Sequence, residues 1–277
     1  PLYVNGIDGY RISGSGAQSK LIARIVDGGV CLPLFGTPST HIIKPPVDSY
    51  PDSVFNEFFT MRLCAELGIK TAKCGLLRIM GDCFYWTERY DREQCEGLTK
   101  RLHQEDFCQI LGISGELKYE NEGGPSFRSC DRAMTEMRLP LSDRLSFIDR
   151  MIFNVLVGNA DAHGKNFSVL YKGKSEATLA PVYDAMSTAV YENLSRESAM
   201  SVGGEFALDK ISRANFGAMA EEAGMRPALA LSRLDSLIGK IAAASAKLAL
   251  ELSNSWPSAV YGKINAEIQK NVSRLSA

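Results

Sequence analysis

The period of apolar and polar positions changes near residue 95. Before it, apolar residues come in short runs bounded by Gly, Pro and Asp, which predicts strands. Residues 20–26 form one such run, Asp27-Gly28-Gly29 predicts a turn, and residues 30–34 resume the pattern. Gly36-Thr37-Pro38 breaks the chain. His41-Ile42-Ile43-Lys44 predicts another short strand, stopped by Pro45-Pro46. Residues 53–67 read as a helix: Val54, Phe58, Met61 and Ala65 repeat at helical spacing, and Phe55, Phe59 and Leu63 widen the apolar face. Asp52 or Ser53 is available to cap it, and Gly68 ends it. Residues 74–80 and 83–89 predict a hairpin around Gly81-Asp82.

After about residue 95 the pattern turns helical. Residues 118–126, with Gly123-Gly124-Pro125, predict an exposed loop. Ser142 is the expected N-cap of a helix in which Leu145, Ile148, Met151, Ile152, Val155 and Leu156 keep helical spacing, ending near Gly158. Residues 167–171 and 178–182 predict two strands around Lys172-Gly173-Lys174. From about Asp209 onward the chain is rich in Ala, Leu and Lys and predicts helices. The expected fold class is α+β, with a small β-rich lobe (residues 1–92) followed by a larger helical lobe (residues 93–277). A cleft between two such lobes is a common ligand site.

Composition narrows the class. The chain has 277 residues, 45 % hydrophobic and 23 % charged, as in a folded globular protein. Lys plus Arg number 31 against 32 Asp plus Glu, a net charge of −1, which disfavours a stand-alone nucleic-acid binder. The chain lacks an apolar run of the roughly 18 residues a membrane span needs, and no membrane partner is expected. Its first residues lack the layout of a signal peptide. Seven cysteines, an odd number without C-x-x-C, point to a reducing compartment such as the cytoplasm. With His41, His103 and His163 as the histidines, the sequence lacks a zinc-like cluster.

The chemistry concentrates at Gly158-Asn159-Ala160-Asp161-Ala162-His163-Gly164-Lys165-Asn166-Phe167. Asp161 and Asn166 have the spacing D-x-x-x-x-N of a protein-kinase catalytic loop, in which Asp accepts the proton of the attacking hydroxyl and Asn helps hold Mg2+. The same residues would also make a plain turn between helix and strand. Downstream, Pro181-Val182-Tyr183-Asp184 ends a predicted strand in a carboxylate, the place of a second metal-binding Asp or of an ordinary strand-ending one. Lys44 closes an apolar strand, and Glu57 on the next helix is its candidate partner; alone, such a Lys could equally sit in solvent. Ser13-Gly14-Ser15-Gly16-Ala17-Gln18-Ser19-Lys20 offers small residues whose N–H groups can cradle phosphate, although Ser19 stands where a G-x-G-x-x-G loop has its third Gly. These features occur in kinase order. The departures are Asn159-Ala160 in place of His-Arg before Asp161, His163 where many kinases carry Lys, and the lack of an A-P-E motif.

The wording of these motifs resembles the HipA family of bacterial Ser/Thr kinase toxins. The segments that carry the resemblance also include Asn56-Glu57, Glu88-Arg89-Tyr90-Asp91-Arg92, Gln104-Glu105-Asp106-Phe107-Cys108-Gln109 and Lys118-Tyr119-Glu120 with Gly123-Gly124-Pro125; together they span roughly residues 10–190. The resemblance implies a two-lobed protein-kinase-like fold that uses ATP and Mg2+. It implies Asp161 as catalytic base, and Asn166 and Asp184 as metal ligands. Lys44, His163 and the loop at Ser15, Gly16 and Ala17 would meet the ATP phosphates. Glu88 and Tyr90 would form the hinge against adenine, and Asp91 and Gln104 fall where the family binds ribose.

In this family a Ser of the Gly-rich loop is autophosphorylated. Ser13 and Ser15 form a Ser-x-Ser pair that resembles the HipT branch, where a short kinase core is paired with separate HipS and HipB proteins. Only a dozen residues precede the loop, so the extra N-terminal subdomain of long HipA chains is expected to be absent. The resemblance further implies a bacterial cytoplasmic toxin whose substrate class is an aminoacyl-tRNA synthetase, so that translation stops, and whose DNA contact passes through the antitoxin. The catalytic residues leave a small-molecule phosphotransferase open, and an inert antitoxin-bound corepressor is the non-enzymatic alternative.

Overall fold

The computed structural model describes residues 20–26, 29–33, 37–96, 98–173 and 176–276. In chain order the elements are β1 (Leu21–Val26), β2 (Gly29–Cys31), β3 (His41–Lys44), α1 (Ser53–Glu66), β4 (Cys74–Ile79), β5 (Asp82–Glu88), β6 (Arg92–Cys95), β7 (Leu98–Arg101), β8 (His103–Asp106) and α2 (Phe107–Ile110). There follow α3 (Phe127–Glu136), α4 (Leu141–Val157), β9 (Ser168–Lys172), β10 (Glu176–Leu179), β11 (Glu197–Val202), β12 (Glu205–Ala207), α5 (Arg213–Glu222), α6 (Pro227–Ser255) and α7 (Val260–Ser276).

The first strands build an antiparallel sheet in the order β2-β1-β3-β5-β4. Its hairpin turns one residue earlier than expected, at Met80-Gly81. Both residues have positive φ (53° and 97°), as a two-residue turn that follows strand twist requires.

Helix α1 is wedged between this sheet and the C-terminal helices, contacting β4 and β5 on one side and α6 and α7 on the other. That is why its apolar residues run nearly all round it. Phe59 stacks on Tyr261 at a centroid distance of 5.2 Å. Neither expected cap acts through its side chain. Asp52 sits in the left-handed region (φ 61°) without a side-chain cap, and its carboxylate accepts a bond from Ser258 Oγ (2.7 Å); Ser53 Oγ accepts the Val47 N–H (2.9 Å).

Three further expectations are corrected. The stretch after residue 95 is not helical at first: β6 and β7 form a charged hairpin, and β8 pairs antiparallel with β9. Its apolar positions are too few for a helix, and Asp91 gathers Arg89, Arg92 and Arg101 around the hairpin base instead. Helix α4 starts at Leu141 directly after Pro140 (φ −59°), not behind a Ser142 cap. Asp143 then accepts the Leu179 N–H (2.8 Å) and the Thr178 hydroxyl (2.9 Å), which binds the helix start to β10. That strand ends at Leu179 rather than Val182, whose own partner is a parallel bridge to Thr71.

One hydrophobic core runs from Val54 and Phe59 in α1 through Phe147, Ile152 and Leu156 in α4 to Ile264 and Ile268 in α7. The seven cysteines are unpaired. Among the described residues no helix is long and apolar enough to cross a membrane.

Candidate active site

Lys44, at the end of β3, lies opposite Tyr85 in the register and points into the cleft. Its Nζ donates to Glu57 Oε1 at 2.7 Å and to Asp184 Oδ1 at 2.5 Å. The Lys44 and Glu57 side chains are 9 % and 5 % exposed, whereas that of Asp184 is 53 % exposed and opens to solvent. Burial opposes the Lys44 charge, but Asp184 and Glu57 outweigh it and its pKa is raised. Burial pushes the Glu57 carboxyl up to about 7 against the pull of Lys44. Lys44 holds Asp184 below the ordinary carboxylate range. Asp184 has a left-handed backbone (φ 59°), a conformation that short polar side chains tolerate and that gathers at functional sites. The segment before it is pinned, since Val182 N–H donates to the Lys70 carbonyl and Ala72 N–H to the Val182 carbonyl.

The loop with Asp161 begins where α4 stops at Gly158. A Cβ there would lie 2.7 Å from Ala189 Cβ and 2.9 Å from Glu267 Cγ, so the close approach and the positive φ (69°) both demand glycine. Asn159 bonds Asn154 and accepts the Asp161 N–H (3.2 Å), while Ala160 N–H donates to Thr188 Oγ1 (2.8 Å). Asn166 Nδ2 donates to the Asp161 carbonyl at 2.9 Å, which turns its Oδ1 away from that carbonyl.

His163 is buried, and burial lowers its pKa despite Asp161, so the imidazole is neutral near pH 7. Its Nδ1 is buried without a hydrogen-bond partner, and a phosphate oxygen would complete it. For Mg2+ the donor set fits: a half-exposed Asp184 carboxylate and an Asn166 amide oxygen are hard ligands that leave positions for phosphate oxygens and water.

Lys44, Glu57, Asp184, Asp161, His163 and Asn166 are thus brought to one cleft. Glu88, Tyr90, Asp91 and Gln104 lie together at the connection between the lobes. Glu88 N–H donates to the Lys73 carbonyl (2.7 Å), so a contact from its backbone to adenine would use its C=O. The Tyr90 ring lies 5.6 Å from that of Tyr183, and the Gln104 side chain lies near its hydroxyl. Asp91 is buried, and its carboxylate binds Arg89 (2.9 and 3.1 Å), Arg92 (2.8 Å) and Arg101 (3.4 Å). Ser13, Ser15, Gly16 and Ala17 lie outside the described residues.

Sequence reasoning gave three residues here no role. Lys20 is close enough to Asp184, Lys44 and Glu57 for their charges to act on it. Asn56 exchanges two hydrogen bonds with the Ser187 backbone (2.9 and 2.8 Å), joining the helix of Glu57 to the segment after Asp184. Tyr119 Oη donates to Asp161 Oδ1 at 2.7 Å. Lys20, Asn56 and Tyr119 all lie inside the segments that carry the family resemblance, and that was the available signal.

The HipA-like C-terminal domain family matches residues 12–246. "Putative kinase Y4mE" of Sinorhizobium fredii is 41 % identical over 253 residues, covering 91 % of this chain and 60 % of its own length. The serine/threonine-protein kinase toxin HipA of Shewanella oneidensis is 32 % identical over 227 residues, covering 77 % and 52 %. The chain therefore spans between half and three-fifths of the length of these curated relatives. Among solved structures, the Shewanella oneidensis complex of HipA, HipB and operator DNA is similar with a TM-score of 0.86 and 28 % identity, over 100 % of this chain and 67 % of that one. The Helicobacter pylori proinflammatory kinase CtkA shares the fold at a TM-score of 0.55 and 13 % identity, over 91 % and 93 % of the two chains.

Proposed function

The chain belongs to the HipA-like C-terminal domain family, and on that premise we propose that it is an ATP- and Mg2+-dependent protein serine/threonine kinase, the toxin of a bacterial toxin–antitoxin system. The observation that carries the reading is the single cleft in which Lys44, paired with Glu57 and Asp184, stands with Asp161, His163 and Asn166. A scaffold without catalysis has no use for that set.

Asp161 accepts the proton of the acceptor hydroxyl as its oxygen bonds the γ-phosphorus; the bond from that phosphorus to the β,γ-bridging oxygen breaks and ADP leaves with the electron pair. Lys44 and His163 bind the phosphates. Asn166 and Asp184 would hold Mg2+, which when bound offsets phosphate charge. The carbonyl of Glu88 and the ring of Tyr90 receive adenine, and Gln104 and Asp91 lie on the ribose side. Residues 1–92 and 93–277 act as the two lobes.

The finer reading follows the same resemblance. Ser13 and Ser15 are the autophosphorylation sites, the chain is of HipT type, and it works in the cytoplasm. HipB- and HipS-type antitoxins are its partners, in keeping with the HipB and operator DNA bound to the similar HipA. With a net charge of −1, this chain leaves DNA contact to the antitoxin. Its substrate is an aminoacyl-tRNA synthetase, and phosphorylation inhibits translation.

The test is Asp161→Asn in a host lysate supplied with ATP labelled on its γ-phosphate. We expect the wild type to label a protein band and the variant to lose that label while keeping its fold by circular dichroism. Undiminished labelling by the variant refutes the base. Label found only in soluble metabolites makes the chain a small-molecule phosphotransferase instead.

A further inference from the structure

The segment from residue 114 to 126 lies over the catalytic loop and is held there from several sides. Gly164 N–H donates to the Lys118 carbonyl (3.3 Å). Pro125 packs so closely on Gly164 that a Cβ there would lie 2.4 Å from Pro125 Cγ. The Glu120 carboxylate accepts the Ser201 N–H (2.6 Å) and hydroxyl (3.0 Å), anchoring the segment to β11. The Tyr119 carbonyl itself accepts the N–H groups of Gly124 (2.8 Å) and Glu122 (3.1 Å). From this fixed backbone the Tyr119 ring meets His163 edge-on at 5.6 Å, and Lys118 Nζ lies 4.9 Å above it.

We propose that Tyr119 is a positioning residue for phosphoryl transfer from ATP: its hydroxyl, 2.7 Å from Asp161 Oδ1, holds the carboxylate so that Oδ2 is left to take the proton of the acceptor hydroxyl. The inference rests on the reading of Asp161 as the base. The Asp161 side chain is 50 % exposed, and His163 Nε2 stands 3.9 Å from Oδ2, beyond hydrogen-bond range. Among the described residues Tyr119 is therefore the side chain that donates to this carboxylate. A carboxylate has acceptor capacity for both hydroxyls, so Tyr119 and the acceptor need not compete. A plug that each acceptor had to displace would need a segment free to withdraw, and this one is tied at Lys118, Tyr119, Glu120 and Pro125. Reacting atoms must be held within about 3–3.5 Å, and a 1 Å misplacement can cost about a hundredfold in rate. Loss of one charge-assisted bond that sets a rotamer should cost about tenfold.

The experiment is ADP release from ATP with Mg2+ by the full chain, supplied with the protein labelled in the lysate assay as acceptor, comparing wild type, Tyr119→Phe, Asp161→Asn and the double variant, with ATP affinity measured by calorimetry. We expect Tyr119→Phe to lower kcat about tenfold with unchanged ATP affinity and an unchanged melting temperature. In the Asp161→Asn background, the same substitution should change nothing further. Unchanged or faster turnover in Tyr119→Phe overturns the proposal, as does a Tyr119→Phe loss of equal size in both backgrounds. If Asp161→Asn turns over like the wild type, or the wild type releases no ADP, the functional reading itself fails and the inference falls with it.

Discussion

Replacing Lys44 with Met separates the two carboxylates that share its ammonium. Asp184, 53 % exposed, regains water when Lys44 is lost, but Glu57, 5 % exposed, does not. Removing one member of a buried pair costs about 3–5 kcal/mol when the other must stay charged. Glu57 can instead take a proton. Burial already holds its pKa near about 7 with Lys44 present, and without that cation it moves higher.

The sign follows from proton counts. Above about pH 7 the folded variant keeps a proton on Glu57 that the unfolded chain has lost, so its stability falls by about 1.4 kcal/mol per pH unit. The folded wild type has shed that proton, and this group adds no slope there. The loss caused by Lys44→Met should therefore be smallest below pH 7 and about 2 kcal/mol larger at about pH 8.5 than at about pH 6.5. Urea unfolding followed by circular dichroism at both pH values reads this directly. The double variant Lys44→Met/Glu57→Gln has no stranded carboxylate and should lose the slope. Equal destabilisation at both pH values, or a slope that survives in the double variant, refutes the reasoning.

Asn56→Ala strands the N–H and C=O of Ser187 in the core; we expect a loss of about 2–4 kcal/mol in urea unfolding, and a loss below about 0.5 kcal/mol would show the clamp to be idle. Gly158→Ala meets both a clash and a positive φ, whereas Gly68→Ala at φ 82° meets nothing within 4 Å. Thermal melts should show Gly158→Ala lowering Tm more than Gly68→Ala, and equal shifts would contradict the packing argument.

The part of the site that was legible in the sequence is the part whose residues are near neighbours. Asp161, His163 and Asn166 occupy one loop, and a loop of fixed length brings its side chains together. Lys44 and Glu57 sit on successive elements, where strand end and helix face could be read from periodicity. The pairs that were not legible join residues far apart: Tyr119 to Asp161 across 42 positions and Asn56 to Ser187 across 131. Those contacts depend on how layers pack, which no local period encodes. The hairpin of β6 and β7 was missed for a related reason. Its polar strands carry little apolar signal, and the ion pairs of Asp91 with Arg89, Arg92 and Arg101 at its base come from tertiary placement. The strands β11 and β12 had no sequence reading at all: β11 is almost wholly buried, so its polar residues do not alternate with an exposed face.

The placement of α1 decides which member of the Lys44 cluster can move. In protein kinases the pairing of the strand Lys with the helix Glu is controlled by the position of the helix. Here α1 is packed on both flanks, with Phe59, Met61 and Leu63 fully buried and Asn56 bonded to Ser187. Withdrawing the helix would expose several such side chains at about 1.5–3 kcal/mol each and break the Asn56 bonds as well. Inverting a two-state population from 1:99 to 99:1 needs a ligand preference of about 5.5 kcal/mol. The exposed core would already exceed it, so folding rather than ligand binding sets the Lys44–Glu57 pair. Asp184 differs. It is half exposed, stands on a left-handed residue two positions past the Val182 bridge, and is tied to the cluster through Lys44. It can change partners for the loss of one ion pair without moving the core, and so Asp184 is the carboxylate of this cluster free to leave its lysine, as the proposed Mg2+ role requires.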